Sequence, residues 1–378
     1  MPTTFMKKDY GSGLRKFISL NMSMRCILDF GDIQVFDNVT NYTGIFILSN
    51  NVDRNSHFEY HKYKNIGGEI HYDDFKESLS RACALKDVIT INANILDSNS
   101  WNFQTTKTNA ILDKLRSDSK ALSEYVVEIF EGIASGKDEV FYIDQNVISN
   151  YYIEKGIIFP LLKGRDIKAY VLNWSGSYVI YPYDINSKVY SDSDMKKRFP
   201  NAFRYLMANR QLLSGREYFD KSNKQWFELW NQRKFENFKQ LRIVTPEISD
   251  KNNFMTTDMY FGNTKTYHII LKDKRQEQYL ALLALLNSKL MDYTYKLITT
   301  PHAGGFYAYK SQFLNLLPIN NGFDNYVDSL AAEVRLILKA KQSNPTANLS
   351  VQEDRINRLV YQLYELTPEE IDVVAKKK

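Results

Sequence analysis

The densest concentration of residues able to do chemistry lies between Lys196 and Arg242. Twelve lysines and arginines stand there against four acids, Glu217, Asp220, Glu228 and Glu236. That local surplus of eight exceeds the +5 of the whole chain, so the remainder is slightly acidic. Phe203, Tyr205, Tyr218, Phe219, Trp226, Phe227 and Trp230 are threaded through it. Bases interleaved with flat rings suit a surface that follows a phosphate backbone. A pair of amphipathic helices with a solvated charged face would have the same composition. Arg210 falls on the apolar stripe of the helix that Pro200 opens, with Phe203, Leu206, Met207 and Leu213, so its stem can pack while its head pairs.

Two further clusters carry charge on tight backbone. In Gly132–Gly136 the glycines permit a close turn from which Lys137 projects. In Lys163-Gly164-Arg165-Asp166 two bases flank a glycine where a backbone can approach phosphate, and Asp166 reads as a turn or cap residue paired with Arg165 or Lys168. His57, His61 and His71 lack the cysteines and further ligands a zinc site needs, so they read as surface histidines and no metal is expected. Cys26 and Cys83 are isolated, as in a reducing compartment.

The elements that must position these groups are legible in part. An apolar content of 44% describes a globular protein. No signal peptide is visible, and the longest apolar run, Tyr279 to Leu286, is far too short to span a bilayer, which places the protein in the cytoplasm with no membrane partner. Residues 106–320 hold thirty bases against twenty-three acids, whereas 1–105 and 321–378 are nearly neutral, so a polyanion would meet the middle of the chain. A short helix from Leu14 to Met24 leads to strands at Arg25–Phe30 and Thr43–Leu48. Two strands are a marginal unit, so partners must come from later residues or another chain. Residues 50–105 give no clear pattern. Ala110–Phe130 and Gln278–Tyr295 have helical periodicity, the second apolar on nearly every face. Met259–Phe261 and Tyr267–Leu271 read as strands, and Val327–Ala340 and Val351–Leu366 as a closing helical hairpin.

The run from Tyr10 to Leu48, with YGSGLRKFI, CILDFGDIQVF and NYTGIFIL, resembles the end of the catalytic domain in the amino (N6-adenine) DNA methyltransferases, notably the TaqI-like enzymes and those fused in type IIG restriction–modification proteins. GIASGKDEVFYI, LLKGRDIKAY, WFELWNQRKF…LRIVTPEI, LALLALLNSKL, TTPHAGGFYAYKSQFLNLLPI and LVYQLYELTPEEI resemble, in order, landmarks of their target-recognition domain and C-terminus. The resemblance implies a mixed α/β fold: a C-terminal remnant of a Rossmann-like methyltransferase sheet in 1–105, an α+β DNA target-recognition domain in 106–320 and a helical segment in 321–378. Phe36 takes the position of the aromatic that stacks on the flipped target base. Pro301 and His302 fall in the loop facing the orphaned partner base, with Tyr307, Tyr309 and Lys310 close enough to reach the duplex.

This chain departs from the family in lacking any Pro-Pro dipeptide, hence its Asn/Asp-Pro-Pro-Tyr/Phe tetrapeptide. Its only G-x-G, Gly11-Ser12-Gly13, lies at a helix entry, and no carboxylate–lysine nuclease cluster is present. The expectation is the C-terminal part of a larger enzyme, with no catalytic residue and no cofactor of its own. S-adenosylmethionine, and magnesium for cleavage, belong to the parent. Double-stranded DNA is the expected partner, bound through Lys137, Lys163, Arg165, Arg210, Arg216 and Arg233, with the remaining methyltransferase or nuclease portion as a second partner. A stand-alone specificity subunit acting with a separate catalytic chain is the alternative. A protein whose basic helices bind acidic protein is another, and salt dependence separates it from a DNA binder.

Overall fold

The computed structural model describes residues 1–375 other than 32, 37–41, 68–74, 100, 102, 104–105, 217–218, 220 and 300. His71, Glu217, Tyr218, Asp220 and the terminal Lys376–Lys378 therefore lie outside the described residues. The chain divides into two compact units, one of Met1–Leu112 with Pro301–Gly305, the other of Asp113–Thr300 with Phe306–Lys378.

In the first unit, helix α1 (Ser12–Asn21) precedes strand β1 (Ser23–Asp29), followed by β2 (Gly44–Ser49), β3 (His57–Asn65) and β4 (Cys83–Asn92). They form one sheet in the order β2-β1-β3-β4, with β1 antiparallel to β2 and parallel to β3. The expected helix to Met24 stops three residues early. A bulge between Met24 and Cys26 lets Met24 and Ile27 enter the same core, with Phe5, Ile18, Phe58, Tyr60 and Trp101. The partners that β1 and β2 required are β3 and β4, from the segment whose sequence was unreadable. His57 and His61 lie on β3, and His61 pairs with Glu59 at 2.8 Å. Among the described residues no cluster of metal ligands occurs.

The second unit contains two four-stranded sheets. One runs Met255–Thr257, Arg242–Pro246, Thr266–Leu271, Val126–Glu131, all antiparallel. The other runs Phe261–Gly262, Ile158–Leu162, Tyr178–Ile180, Tyr142–Ile143. Their shared core includes Phe130, Leu161, Tyr181, Phe227, Phe238 and Phe261. The helix expected over Ala110–Phe130 is corrected: it spans Thr106–Ser117, and the rest turns into strand Val126–Glu131. Val126, Val127 and Ile129 are β-branched, and cross-strand packing against Thr266–Leu271 overrides a helical spacing. The apolar run splits into helices Gln276–Asn287 and Lys289–Ile298 because Ser288 ends one and caps the other through Met291 N. Every residue from Gln278 to Leu286 is buried, as an all-apolar helix requires. Helices Val327–Ser343, Ser350–Leu363 and Pro368–Ala375 belong to the same unit. Among the described residues no helix is long and apolar enough to cross a membrane.

Candidate nucleic-acid interface

Several strand ends of the second unit converge. Ile133 N donates to Gly262 O at 2.6 Å and Gly132 N to Thr266 O at 3.0 Å. Asn263 N donates to Leu162 O, Glu247 N to Lys265 O, and Tyr309 N to Glu247 O. Two glycines make this possible. A Cβ at Gly132 would lie 2.2 Å from Asn263 O, and one at Gly164 would lie 2.7 Å from Lys265 O. The turn Lys163–Asp166 is thereby pressed against Lys265, with Asp166 buried beneath it. Asp166 is a cap residue, though its partners differ from those expected: Oδ2 accepts from Lys163 N at 2.8 Å and from Ser175 Oγ, not from Arg165 or Lys168.

The charges on this rim are three bases held by two acids and two bases held by none. Glu247 lies between Lys265 at 2.9 Å and Lys310 at 3.4 Å, and Glu131 meets Arg233 at 3.3 Å. Partial burial pushes the Glu131 carboxyl up, opposed by Arg233, Lys310 and Lys265. Exposed Arg165 and half-buried Lys163 form no ion pair among the described residues. Such a rim, cationic on balance with exposed donors, can hold an anionic backbone. Sequence reasoning missed Lys265 and Glu247; only the pairing of Pro246 with Thr266 at the ends of their strands brings them together.

Of the other expected DNA contacts, two are buried. Arg216 is buried, donating to the carbonyls of Leu213, Ser135, Glu228 and Trp226 and lying over the Phe219 ring, and burial pushes its guanidinium down to about 10. Tyr309 is buried, with its hydroxyl donating to Asn252 Oδ1 at 2.7 Å and its ring stacked on Tyr295. Arg233 is committed to Glu131 and to Gly132 O, with its own carbonyl accepting from Tyr181. Arg210 departs from the packed stripe as well. Its head is exposed above Trp226, and Met207 is exposed with it. Lys137 pairs with Glu139 at 2.9 Å.

In the first unit Phe36 is 45% exposed, following buried Ile33 and Val35, so it is not a core residue. Pro301 is exposed and His302 half-buried, beside Gly304 and Gly305, which both have positive φ. The G-x-G does not fit a nucleotide loop: Gly11 is backed against the Phe5 carbonyl, and Gly13 lies in the first turn of α1.

Residues 159–319 match the TaqI-like C-terminal specificity domain. The type II methyltransferase M.BstVI of Geobacillus stearothermophilus is 23% identical across 98% of this chain and 64% of its own length. The type II restriction enzyme and methyltransferase RM.Eco57I of Escherichia coli is 24% identical across 84% of this chain and 34% of its own. The chain thus spans less than two thirds of these relatives. The solved type IIL restriction–modification enzyme MmeI, in complex with DNA, shares the fold with a TM-score of 0.63 at 11% identity, over 99% of this chain and 48% of that one. The strand-end rim thus lies within the segment that matches a TaqI-like C-terminal specificity domain, and the relatives of this chain are type II methyltransferases and restriction–modification enzymes.

Proposed function

We propose that this chain recognises a DNA target sequence for a type II methyltransferase or restriction–modification enzyme, with the second unit as the reader. The observation that carries the reading is the cationic strand-end rim of Lys163, Arg165, Lys265 and Lys310, inside the segment that matches a specificity domain. Bases in the target would be distinguished in the major groove while the rim holds phosphates. Binding of a labelled duplex across a salt series tests this. Affinity should fall by orders of magnitude between roughly 50 and 200 mM salt, and a duplex affinity indifferent to salt rules the reading out.

The finer parts of the reading concern the first unit. β1 and β2 are the closing strands of a Rossmann-like methyltransferase sheet, the target base is adenine methylated at N6, and exposed Phe36 gives that base a stacking face once it is flipped. Organisation into 1–105, 106–320 and 321–378 belongs to the same reading. S-adenosylmethionine supplies the methyl group to the complete enzyme. Its residues are not found here, and no methyl transfer to DNA is expected from this chain by itself. Incorporation of tritium from labelled S-adenosylmethionine by the pure chain is the contrary result.

Another protein region completes the assembly. α1 turns Leu14, Phe17 and Leu20 outward, and Ile45 and Ile47 are exposed on β2, which ends its sheet. Met1–Thr3 lie along the start of that edge, leaving Ile45–Ser49 without a strand on that side among the described residues. Exposed apolar rows on a helix and a sheet edge mark an interaction surface. The part of a methyltransferase that these relatives have beyond the matched length suits it, whether carried by the same polypeptide or by a separate catalytic subunit. Co-purification of this chain with that part, lost on Phe17→Asp, tests the assignment.

A further inference from the structure

Glu247 sits where three segments meet. Its N–H donates to Lys265 O at 2.9 Å, and its carbonyl accepts from Tyr309 N at 2.7 Å. Its side chain is only 11% exposed, while those of Lys265 and Lys310 are 65% and 44% exposed. The two carboxylate oxygens take different lysines, Oε2 at 2.9 Å from Lys265 Nζ and Oε1 at 3.4 Å from Lys310 Nζ. The ammonium groups are therefore separated by no more than these two contacts and the width of a carboxylate.

Two like charges so close repel, and two long side chains would otherwise sample many rotamers. One recessed carboxylate offsets both effects. The backbones are fixed too: Lys265 N donates to Asn263 Oδ1 at 3.1 Å, and the residue before Lys310 is the buried Tyr309. Lys265 spends one of its three donors on a hydrogen bond to Glu247, and Lys310 only an ion-pair contact, so donors of both remain for a ligand. One negative charge beneath two positive ones leaves the surface cationic, enough to hold one phosphate. Glu131 and Arg233 alongside compensate each other.

We propose that Glu247 is a positioning residue that holds Lys265 and Lys310 together as a two-ammonium clamp for a phosphate of the bound DNA strand. This rests on the DNA-binding reading above and adds to it the site's geometry and the residue that sets it. Lys163 and Arg165, on the turn pressed against Lys265, flank the clamp and extend it along the strand.

The test uses the full chain and a labelled mixed-sequence duplex, with binding followed by fluorescence anisotropy across a salt series. Lys265→Ala and Lys310→Ala should each reduce the slope of log affinity against log salt by about 0.9, and Lys265→Arg should retain it. Glu247→Asp keeps the charge but withdraws the carboxylate, so a positioning role predicts binding about threefold weaker, as expected when ordering of a charged contact is lost. In the Glu247→Asp background Lys265→Ala should then cost less than in the native chain. Unchanged affinity for Glu247→Asp, or the same fold-loss for Lys265→Ala in both backgrounds, overturns the clamp while leaving DNA binding intact. Thermal melts identify any variant that misfolds, and the two lysine variants decide the matter if Glu247→Asp does. Absence of duplex binding by the native chain at low salt overturns the DNA reading itself, and the clamp with it.

Discussion

Two regions of the second unit hold many bases, and the first commits two of its arginines to the interior while the second keeps its bases at the surface. Within Lys196–Arg242, Arg216 and Arg242 turn inward, and backbone carbonyls accept hydrogen bonds from their guanidinium groups. Arg242 is 0% exposed, donating to the carbonyls of Phe238, Gln240, Thr257 and Tyr260 and through Nε to His268 Nδ1 at 3.1 Å. No acid within an ion-pair distance balances it among the described residues, and burial pushes it down to about 9. At the strand-end rim, bases are instead held by carboxylates or left in solvent. A guanidinium with five donors can tie loop carbonyls together inside a fold; an ammonium on a flexible stem is better kept at the surface. The densest run of bases in the sequence is therefore partly scaffold: Arg216 and Arg242 are buried, whereas Lys196, Lys197, Arg204 and Arg210 stay exposed.

The sharpest way to break this contrast is Arg242→Ala. Removing a buried cation from four carbonyls and a histidine should cost roughly 3–5 kcal/mol, read by urea denaturation, and a loss below about 1 kcal/mol would show the interior assignment wrong. Arg216→Ala should cost somewhat less, about 2–4 kcal/mol, since Arg216 is less completely buried than Arg242.

Acid probes the same interior. Thr266 Oγ1 donates to Asn263 O, so it accepts from His268 Nε2–H, while His268 Nδ1 accepts from Arg242. Acceptance at Nδ1 requires the neutral ring, and burial, with Arg242 and Arg233 nearby, holds the imidazole well below its ordinary range. The unfolded chain then binds the proton more readily than the folded one. Stability from this group is complete above the unfolded value near 6.5 and falls with pH below it, by up to about 1.4 kcal/mol per pH unit. Denaturation midpoints at pH 7.5 and 5.5 should differ accordingly, and His268→Gln should flatten the difference.

Rim substitutions should invert the pattern. Arg165→Gln should leave stability within about 0.5 kcal/mol yet reduce the salt slope of duplex binding by about 0.9. A stability loss with an unchanged slope would place Arg165 with the scaffold arginines. The smallest effect belongs to Lys137, whose surface pair with Glu139 should contribute less than about 1 kcal/mol, measurable as a minor shift in Lys137→Ala.

Much of this molecule was legible before folding was considered. Strands at Arg25–Phe30 and Thr43–Leu48 fall within two residues of β1 and β2, and the all-apolar run around Leu280 is the buried helix its composition required. Pro200 opens a helix, and Asp166 caps a turn, because these are local properties of proline and of a short carboxylate. The stretch Val126–Glu131 was misread because its partner strand lies more than a hundred residues away, and pairing with it outweighs local spacing.

The basic composition of the middle of the chain and the glycine-flanked turns were determined by sequence alone. Which bases face inward was not. Arg216 and Arg165 have the same side chain and similar polar neighbours in sequence, yet one meets four main-chain carbonyls and the other meets solvent. That choice depends on carbonyls from Ser135 and Glu228 arriving at Arg216 from distant segments. The joining of Glu247, Lys265 and Lys310 depends likewise on three chain segments meeting at strand ends. Periodicity and propensity report a residue's neighbours along the chain, whereas the neutralisation of a charge depends on its neighbours in space.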